Sequence, residues 1–264
     1  MKISVLGATG TMGGLIIKTA LQEGFEISNK VSSKDEISDL FVDTDVIIDF
    51  SCPMATKSML EYSSQHSKKI PIIIGTTGLS NECVELVKKN SEKIPLLLSP
   101  NMSVLISLVN MVVYATGKLL DESFDVEISE THHRLKKDAP SGTALMLGQS
   151  IAKSRGKNLR DVAVFERHGI TPQRQIGNIG FSVKRCGKIV GEHEVNFVGD
   201  FEQMSITHKA FSKEIFAKGA IKAVKWIATQ NPGFYTMNDF TRDMIIPVVK
   251  DLYKDFFSWN RDKF

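Results

Sequence analysis

The chain has 264 residues, of which 42% are hydrophobic and 24% are charged, and its formal net charge is +3. These values are typical of a soluble globular protein of one or two domains that can bury a sizeable core. The small net charge and the lack of a polybasic run argue against a nucleic-acid binder, whereas a small anionic ligand fits them.

The cysteines and the N-terminus indicate the compartment. Cys52, Cys83 and Cys186 are odd in number, lie far apart and form no CxxC pair. This argues against a disulfide framework or a zinc knuckle and favours a reducing compartment. The apolar run before Gly7 is too short for a signal peptide, and no window resembles a membrane span. We therefore expect a cytoplasmic protein that interacts with neither nucleic acid nor membrane.

Residues 1–103 alternate short apolar runs with helical segments. The apolar runs lie at 3–6, 25–32, 46–50, 70–75 and 94–99. Near-continuous apolar runs are typical of parallel strands that are covered on both faces, and the run at 25–32 is the weakest of the five. Helical segments at 53–67 and 80–91 separate the later runs. The pattern predicts an α/β fold with a doubly wound, Rossmann-type parallel sheet.

A glycine-rich turn follows the first apolar run directly. Its sequence, GATGTMG, gives the spacing G-x-x-G-x-x-G from Gly7 to Gly13, and a helical segment comes next. Glycines let the backbone approach a pyrophosphate, whose charge then interacts with N–H groups at the helix N-terminus. A plain structural turn is the alternative, but the preceding strand and the following helix favour a cradle for a dinucleotide.

Three further segments are candidates for contacts with the same cofactor. An acid at the end of the second strand is typical of NAD binding, whereas cations and hydroxyl groups can hold the 2′-phosphate of NADP. No acid occurs here before Asp35, which favours NADPH without excluding NADH. The candidates after the second strand are Lys30, Ser32, Ser33 and Lys34, and those after two later strands are Gly75, Thr76, Thr77, Gly78, Ser99, Pro100, Asn101, Met102 and Ser103.

Beyond Asp121 the hydrophobic period changes to two. Apolar and polar residues alternate at 124–128, 179–183, 189–197 and 204–206. This pattern predicts strands with one solvated face, joined as antiparallel hairpins by turns at 186–188 and 199–201. We therefore expect a second, α+β domain with a mixed or antiparallel sheet. From Lys213 the spacing is helical again and ends at 231–233.

The segment ETHHRLKKDAPSGTA, residues 130–144, combines many polar side chains. Glu130 has the parity of its strand's apolar face, so its carboxylate needs a partner, for which a neighbouring histidine or lysine is the candidate. The alternative is that this strand has frayed by residue 130, so that its parity does not apply to Glu130. His132 and His133 are adjacent and therefore point to opposite sides of a strand, with no further ligand nearby, so we expect no metal site.

The same segment has the groups that an enzyme needs to handle an anionic substrate. One histidine can act as a general acid near neutral pH while the other binds the substrate, and Lys136 adds a charge and a proton donor. Ser141 is a good N-cap, and the N–H groups of Gly142 and Thr143 in the helix that it opens form an anion site. The segment therefore predicts a pocket for a carboxylate-bearing substrate.

From Glu127 to Ala144 the chain resembles the signature of the dihydrodipicolinate (4-hydroxy-tetrahydrodipicolinate) reductase family. The similarity extends through GATGTMG, GTTG at 75–78, SPNMS at 99–103, IVGEHEV at 189–195 and ITHKA at 206–210. The resemblance implies a reductase of lysine and diaminopimelate biosynthesis. It would transfer a hydride from NADPH or NADH to a cyclic unsaturated dicarboxylate, giving tetrahydrodipicolinate.

The resemblance also implies roles for individual residues and domains. His132 would be a catalytic proton donor or acceptor and Lys136 a proton donor, and His133, Gly142 and Thr143 would bind the substrate. Residues 1–103 and 213–264 would form the dinucleotide-binding domain, and residues 104–212 the domain for substrate binding and for assembly into a homotetramer. The implied cofactor contacts are Gly7, Ala8, Thr9, Gly10, Thr11, Met12, Gly75, Thr76, Thr77, Ser99, Pro100, Asn101 and Met102.

Some alternatives stay open at this point. Ser32 and Ser33 stand where other family members have an acid or an acid–arginine pair, so the choice between NADH and NADPH is not decided. A two-domain dehydrogenase with another substrate would fit the same fold, but such enzymes often have a Lys-Pro pair that is absent here. A non-catalytic regulator that senses nicotinamide nucleotides would have little reason to keep His132, Lys136 and the SGT turn together.

Overall fold

The computed structural model describes residues 1–261, and their side chains as far as Leu252. The chain forms two compact units, one made of residues 1–104 and the chain from Phe216 onwards, the other of Leu105–Ile215. Within the part of the chain that is described, none of the helices is both long and apolar enough to cross a membrane.

Strands and helices alternate along the first unit, and the ranges below cover both units. The strands are β1 (Lys2–Leu6), β2 (Glu26–Val31), β3 (Val46–Asp49), β4 (Ile72–Ile74), β5 (Pro95–Leu98), β6 (Asp125–His132), β7 (Ala163–Val164), β8 (Ile179–Arg185), β9 (Gly191–Val198), β10 (Gln203–Ala210) and β11 (Gly233–Tyr235). The helices are α1 (Thr11–Gln22), α2 (Pro53–Gln65), α3 (Asn81–Ser91), α4 (Val104–Leu119), α5 (Gly142–Ser154), α6 (Leu159–Val162), α7 (Glu214–Ile227) and α8 (Met237–Arg261), with a 3-10 helix at Ile37–Phe41.

The first unit contains a six-stranded sheet in the order β11-β5-β4-β3-β1-β2, in which every pair is parallel. This confirms the predicted doubly wound sheet, including the weak strand at 25–32. Alternate residues of its strands enter different cores, so Ile48 packs with α1 and α7 whereas Ile47 packs with α2 and α3. The edge strand β11 was not predicted, because it is only three residues long and begins with the glycine of a helix-ending Asn-Pro-Gly turn.

The second unit contains a mixed sheet in the order β10-β9-β6-β8-β7. The turn at 199–201 joins the antiparallel pair β9–β10, as predicted. The predicted hairpin at 186–188 is wrong, because β6 lies between β8 and β9, pairing in parallel with β8 and antiparallel with β9. The residues at 186–188 do follow the end of β8, but the next strand, β9, pairs with the edge of β6 opposite to β8.

One face of this sheet is covered by an apolar core. Val126, Ile128, Val195 and Phe197 point into it and pack against buried residues of α5 such as Leu147. The glycine at position 148 of α5 lets the Phe181 ring approach closely, since an added Cβ would lie 2.6 Å from that ring.

The buried face becomes polar at the end of β6. The alternation that buries Val126 and Ile128 continues to Glu130 and His132, so these side chains lie on the core side of the strand. The register aligns Glu130 with His193 of β9, and His193 with His208 of β10. All four polar side chains belong to residues at most 9% exposed. A row of titratable groups therefore crosses three strands on the covered face.

Burial of His193 predicts that the stability of the protein falls in acid. Burial, helped by the charge of nearby His132, lowers the pKa of His193 from 6.5 to about 3. The unfolded chain therefore binds more protons than the folded protein between these values. The free energy of unfolding should decrease as the pH falls from about 6.5 towards 3, by up to about 1.4 kcal/mol per pH unit from this residue alone.

Urea unfolding at several pH values measures this effect. The variant His193→Gln should be less stable than the wild type at pH 7.5, because the hydrogen bond to Ser141 is altered, but its stability should depend less steeply on pH. His168→Gln replaces an exposed histidine of the same unit and serves as the control. Equal pH dependence in the wild type and His193→Gln would contradict the prediction.

Candidate active site

In the glycine-rich turn of the first unit, two positions can be occupied only by glycine. Gly7 has a φ of +82°, and an added Cβ would lie 2.5 Å from the carbonyl oxygen of Phe50. A Cβ on Gly13 would overlap the carbonyl group of Gly7. The turn is thus packed tightly between the ends of β1 and β3 and the start of α1, as the sequence spacing predicts for a phosphate cradle.

The start of α1 has the properties of an anion site. The N–H groups of Gly7 and Ala8 both donate to the carbonyl oxygen of Val31, at 2.9 and 3.1 Å, so they hold the turn onto β2. Gly10 caps α1 without a side-chain hydrogen bond, and no acid lies in the first turn. Because no protein carboxylate competes there, the exposed backbone from Thr9 to Thr11 and the adjacent Met12 fit the pyrophosphate of a dinucleotide.

A buried carboxylate organises the neighbouring strand ends. Asp49 accepts hydrogen bonds from the hydroxyl groups of Ser51 and Thr56 at 2.5 Å and from that of Thr76 at 3.0 Å. Burial raises the pKa of Asp49, although these hydrogen bonds act in the opposite direction. The sequence did not reveal this network. Because the Thr76 hydroxyl binds Asp49, it holds the turn after β4 in place. Thr77 is exposed, and Gly75 is buried against the Phe50 ring.

The turn after β5 is held by its own side chains. The Ser99 hydroxyl donates to the Asn101 carbonyl oxygen at 2.8 Å, and the N–H of Ser103 donates to the Asn101 side chain at 2.9 Å. Pro100 is exposed, whereas Met102 is buried in the core of the unit. Any contact of Met102 with a cofactor would therefore come from its backbone.

The turn after β2 contains charges of both signs. The N–H and hydroxyl groups of Ser32 donate to the Asp35 carboxylate at 2.8 and 2.7 Å. These hydrogen bonds lower the pKa of Asp35, which is therefore ionised at neutral pH. Ser33 and Lys34 are exposed beside it.

In the second unit, Glu130 is surrounded by hydrogen-bond donors from three elements. Its Oε1 accepts from the N–H of Ser141 at 2.9 Å and from Arg185 at 2.8 Å. Its Oε2 accepts from Arg185 at 2.8 Å and lies 2.5 Å from Nδ1 of His132. Burial acts to raise the pKa of Glu130, but the hydrogen bonds from Arg185, His132 and Ser141 outweigh it and lower that pKa.

His132 is held between this carboxylate and a second histidine. Burial lowers the pKa of His132 below its usual value, although Glu130 acts in the opposite direction. Its ring meets the His193 ring edge to face, with centroids 5.2 Å apart. The other ring nitrogen, Nε2, lies close to Gly191, where an added Cβ would approach it to 3.0 Å, so a larger residue at that position would crowd this nitrogen.

The residues after β6 form a turn in which Lys136 donates its N–H to the His133 carbonyl oxygen at 3.1 Å. The Lys136 ammonium lies 2.9 Å from the Asp138 carboxylate and stays partly exposed. His133 is half-buried, and its Nδ1 is buried without a hydrogen-bond partner in the described part of the chain. Arg134 and Lys137 are exposed, as charge runs usually are.

The start of α5 adjoins the same carboxylate. Ser141 caps α5 by accepting from the Ala144 N–H at 3.2 Å, and its hydroxyl lies 3.0 Å from Nε2 of His193. Gly142 is exposed with open space around its Cα, and Thr143 is half-buried. Of the residues predicted from this segment, His132 contacts Glu130 directly, Gly142 follows the Ser141 whose N–H binds the same carboxylate, and the charge of Lys136 acts on His132.

Two members of the network were missed from the sequence, namely Arg185 and His193. His193 has the parity of its buried neighbour Val195, so parity combined with polarity could have identified it. Arg185 has no such signal, because Val183 at the same parity of β8 is exposed. Among the residues that the structure describes, no group of three or more histidine, cysteine or acidic side chains is arranged to hold a metal ion.

Comparisons with known proteins divide the chain near residue 103, close to the first boundary between the two units. The family model "Dihydrodipicolinate reductase, N-terminus" matches residues 1–102, and "Dihydrodipicolinate reductase, C-terminus" matches residues 104–241. The 4-hydroxy-tetrahydrodipicolinate reductase of Zymomonas mobilis is 40% identical over 246 residues, covering 90% of this chain and 96% of the relative. The reductase of the same name from Hahella chejuensis is 38% identical over 262 residues, covering 90% and 97%.

A solved structure supports the fold independently. The dipicolinate-bound dihydrodipicolinate reductase from Paenisporosarcina sp. TG-14 superposes with a TM-score of 0.63 at 21% identity, covering 89% of this chain and 97% of that one. Because the family models together span nearly the whole chain up to residue 241, and the relatives match it almost end to end, the chain belongs to the dihydrodipicolinate reductase family.

Proposed function

We propose that the protein is the reductase of lysine and diaminopimelate biosynthesis that converts 4-hydroxy-tetrahydrodipicolinate into tetrahydrodipicolinate with NADPH or NADH. The observation that carries this proposal is the cluster around Glu130, which binds His132 and the N–H of Ser141 at the start of α5, with the charge of Lys136 acting on His132. The names of the close relatives support the same reaction.

The cluster suits a substrate with two carboxylates. The N-terminus of α5 offers backbone N–H groups and the positive end of the helix dipole at Gly142 and Thr143, which would bind one carboxylate. His133, whose buried Nδ1 has no hydrogen-bond partner among the described residues, offers a further polar group. The dipicolinate bound to the Paenisporosarcina reductase is itself a dicarboxylate and supports this class of ligand.

The reaction needs a proton as well as a hydride. Loss of water from the 4-hydroxy substrate, followed by addition of one hydride and one proton across a ring double bond, gives tetrahydrodipicolinate. The nicotinamide, when bound, supplies the hydride. Lys136 has an ammonium group in a partly exposed position, from which it can give a proton to the substrate and take one back from solvent. His132 is the other candidate for proton transfer.

The turn of the first unit would hold the cofactor. Gly7 and Gly13 shape the cradle and the first turn of α1 faces the pyrophosphate, while the turns at 75–77 and 99–102 line the neighbouring strand ends. The two cofactors would be distinguished after β2. There Lys34 and the serines Ser32 and Ser33 favour a 2′-phosphate, whereas the Asp35 carboxylate favours the hydroxyl groups of NADH.

Cellular location and assembly are part of the same proposal. Cys52, Cys83 and Cys186 form no disulfide in the described chain, which supports a reducing, cytoplasmic compartment. We also propose a homotetramer assembled through the second unit, as the family resemblance implies. Exposed apolar side chains on strands of that unit, such as Val183 and Met204, support an interface there.

The proposal is tested by mixing the purified protein with enzymatically generated substrate and either NADPH or NADH, and following the nicotinamide absorbance. Oxidation of at least one cofactor that depends on the substrate is the expected result. No oxidation with either cofactor would contradict the reductase function. Nucleotide binding without turnover would instead favour a nucleotide-sensing regulator.

Replacing Lys136 tests the proposed proton donor. Lys136→Ala should lower kcat by roughly 10²- to 10⁴-fold, the usual size of a general-acid contribution, while the affinity for the cofactor is unchanged. Lys137→Ala removes the exposed neighbouring cation and should keep full activity. Steady-state kinetics and fluorescence titration with NADPH provide the two measurements. Equal kcat values in the two variants would contradict the role of Lys136.

Replacing Gly10 tests the phosphate cradle. A Cβ at this position would lie 3.3 Å from the Gly7 carbonyl oxygen, which the fold can accommodate, but it would project from the N-cap of α1. Gly10→Ala should therefore weaken cofactor binding by about tenfold, or about 1.4 kcal/mol. Gly14→Ala, where a Cβ meets no atom within 4 Å, should bind normally and stabilise α1 by about 1 kcal/mol. Equal dissociation constants for both variants would argue against the cradle.

A further inference from the structure

The hydrogen bonds of Glu130 determine which nitrogen of His132 has the proton. An ionised carboxylate has about four acceptor positions and no proton of its own. Two positions of Glu130 are occupied by Arg185, one by the N–H of Ser141, and the last faces Nδ1 of His132. Since all of these positions face donors, the hydrogen atom between Glu130 and His132 belongs to Nδ1 of the histidine.

A neutral His132 with its proton on Nδ1 has a lone pair on Nε2. The groups that face it from the surrounding elements are Glu130 on its own strand, Arg185 of β8, His193 of β9 and Lys136 of the following turn. Arg185 and Lys136 are cations, and they disfavour a positive charge on the His132 ring, as burial also does. The ring therefore presents an acceptor at Nε2, beside Gly191, whose lack of a side chain avoids crowding that nitrogen.

We infer that Glu130 is a positioning residue that holds His132 in the neutral Nδ1–H tautomer, so that Nε2 of His132 acts as a hydrogen-bond acceptor during the reaction. The inference rests on the proposed function, in which Lys136 is the proton donor that the family resemblance implies. In this step the Lys136 N–H bond breaks and its proton goes to the substrate, and the resulting amine regains a proton from solvent.

The same carboxylate also positions the substrate site. By accepting the N–H of Ser141, Glu130 fixes the residue directly before Gly142 and Thr143. One side chain thus sets the ring orientation of His132 and the start of α5 together. Replacing Glu130 should therefore lower turnover by disturbing both His132 and the start of α5. The glycine-rich cradle lies in the other unit and should bind the cofactor normally.

Glu127 offers a matched control on the same strand. It lies three residues before Glu130 with its side chain on the opposite face, and it has a bidentate ion pair with Arg167 at 2.8 and 2.9 Å. Glu127→Gln therefore breaks a carboxylate–arginine pair of β6 without contact to either histidine. Any loss that comes only from weakening the sheet should appear in both variants.

Steady-state kinetics of Glu130→Gln and Glu127→Gln provide the first test. Glu130→Gln should lower kcat by roughly 10- to 100-fold, as loss of a residue that orients an active-site histidine typically does. The KM for the cofactor should stay within about twofold of the control, because the cradle is untouched. Equal kcat values in the two variants, with an active wild type, would overturn the inference. An inactive wild type would instead count against the proposed function.

The pH profile distinguishes an acceptor from a donor. An acceptor loses activity as the pH falls and Nε2 becomes protonated. Because the Glu130 charge acts to raise the pKa of His132, removing that charge should move this acid limb to lower pH in Glu130→Gln and leave it in place in Glu127→Gln. If His132 is the donor, activity falls with rising pH instead, and a shift of that alkaline limb in Glu130→Gln would overturn the inference.

Nitrogen NMR of the wild-type protein, labelled with ¹⁵N in its histidines, reads the tautomer directly and requires no enzymatic activity. Comparison with folded His132→Gln identifies the signals of His132. At pH 7.5 the expected pattern is a protonated Nδ1 and an unprotonated Nε2. A proton on Nε2 in the wild type would overturn the inference, whatever the kinetics of the variants.

Discussion

The second unit depends on one electrostatic constraint, which is that the carboxylate of Glu130 is buried on the core side of a strand. A buried charge is costly by several kcal/mol unless donors surround it. Here the donors come from the tip of β6, from Arg185 of β8 and from the backbone before α5. Satisfying the charge therefore joins a strand end, a neighbouring strand and a helix start, and the proposed reactive groups are attached to those three elements.

The same constraint explains how the charges of the site are distributed. Arg185 balances Glu130, so the pair has no net charge and does not repel an anionic substrate. Burial keeps His193 neutral and disfavours the charged form of His132. The positive charge that is exposed to a ligand is then mainly that of Lys136 and of the α5 N-terminus. A dicarboxylate would meet cationic and backbone donors at the surface and neutral imidazoles beneath them.

Local patterns in the sequence predict most of this architecture, because they depend on neighbouring residues. The apolar runs and the glycine spacing predicted the parallel sheet and the turn after β1, and strand parity placed Glu130 on the buried face. The pairing of β6 with both β8 and β9 could not be read, since a turn sequence does not specify which strand lies beside the next one. Arg185 was missed for the same reason, because it becomes a partner of Glu130 only when β8 lies next to β6. The Asp49 network could not be read either, because it joins residues 49–56 to Thr76, which is 27 residues away in the sequence.

The two units would bind anions by different means, and the chemistry of the proposed reaction accounts for the difference. A cofactor pyrophosphate keeps its charge throughout turnover, so uncharged glycine backbone and the α1 dipole suffice, and Gly7 and Gly13 have no titratable group to perturb. The substrate site must instead change its protonation during each cycle. Groups that can lose or accept a proton, such as Lys136 and His132, are needed there, and a buried Glu130 with its full set of donors fixes which of them starts with the proton. The glycines of one unit and the buried carboxylate of the other therefore meet opposite requirements, constant charge in the first and controlled change of charge in the second.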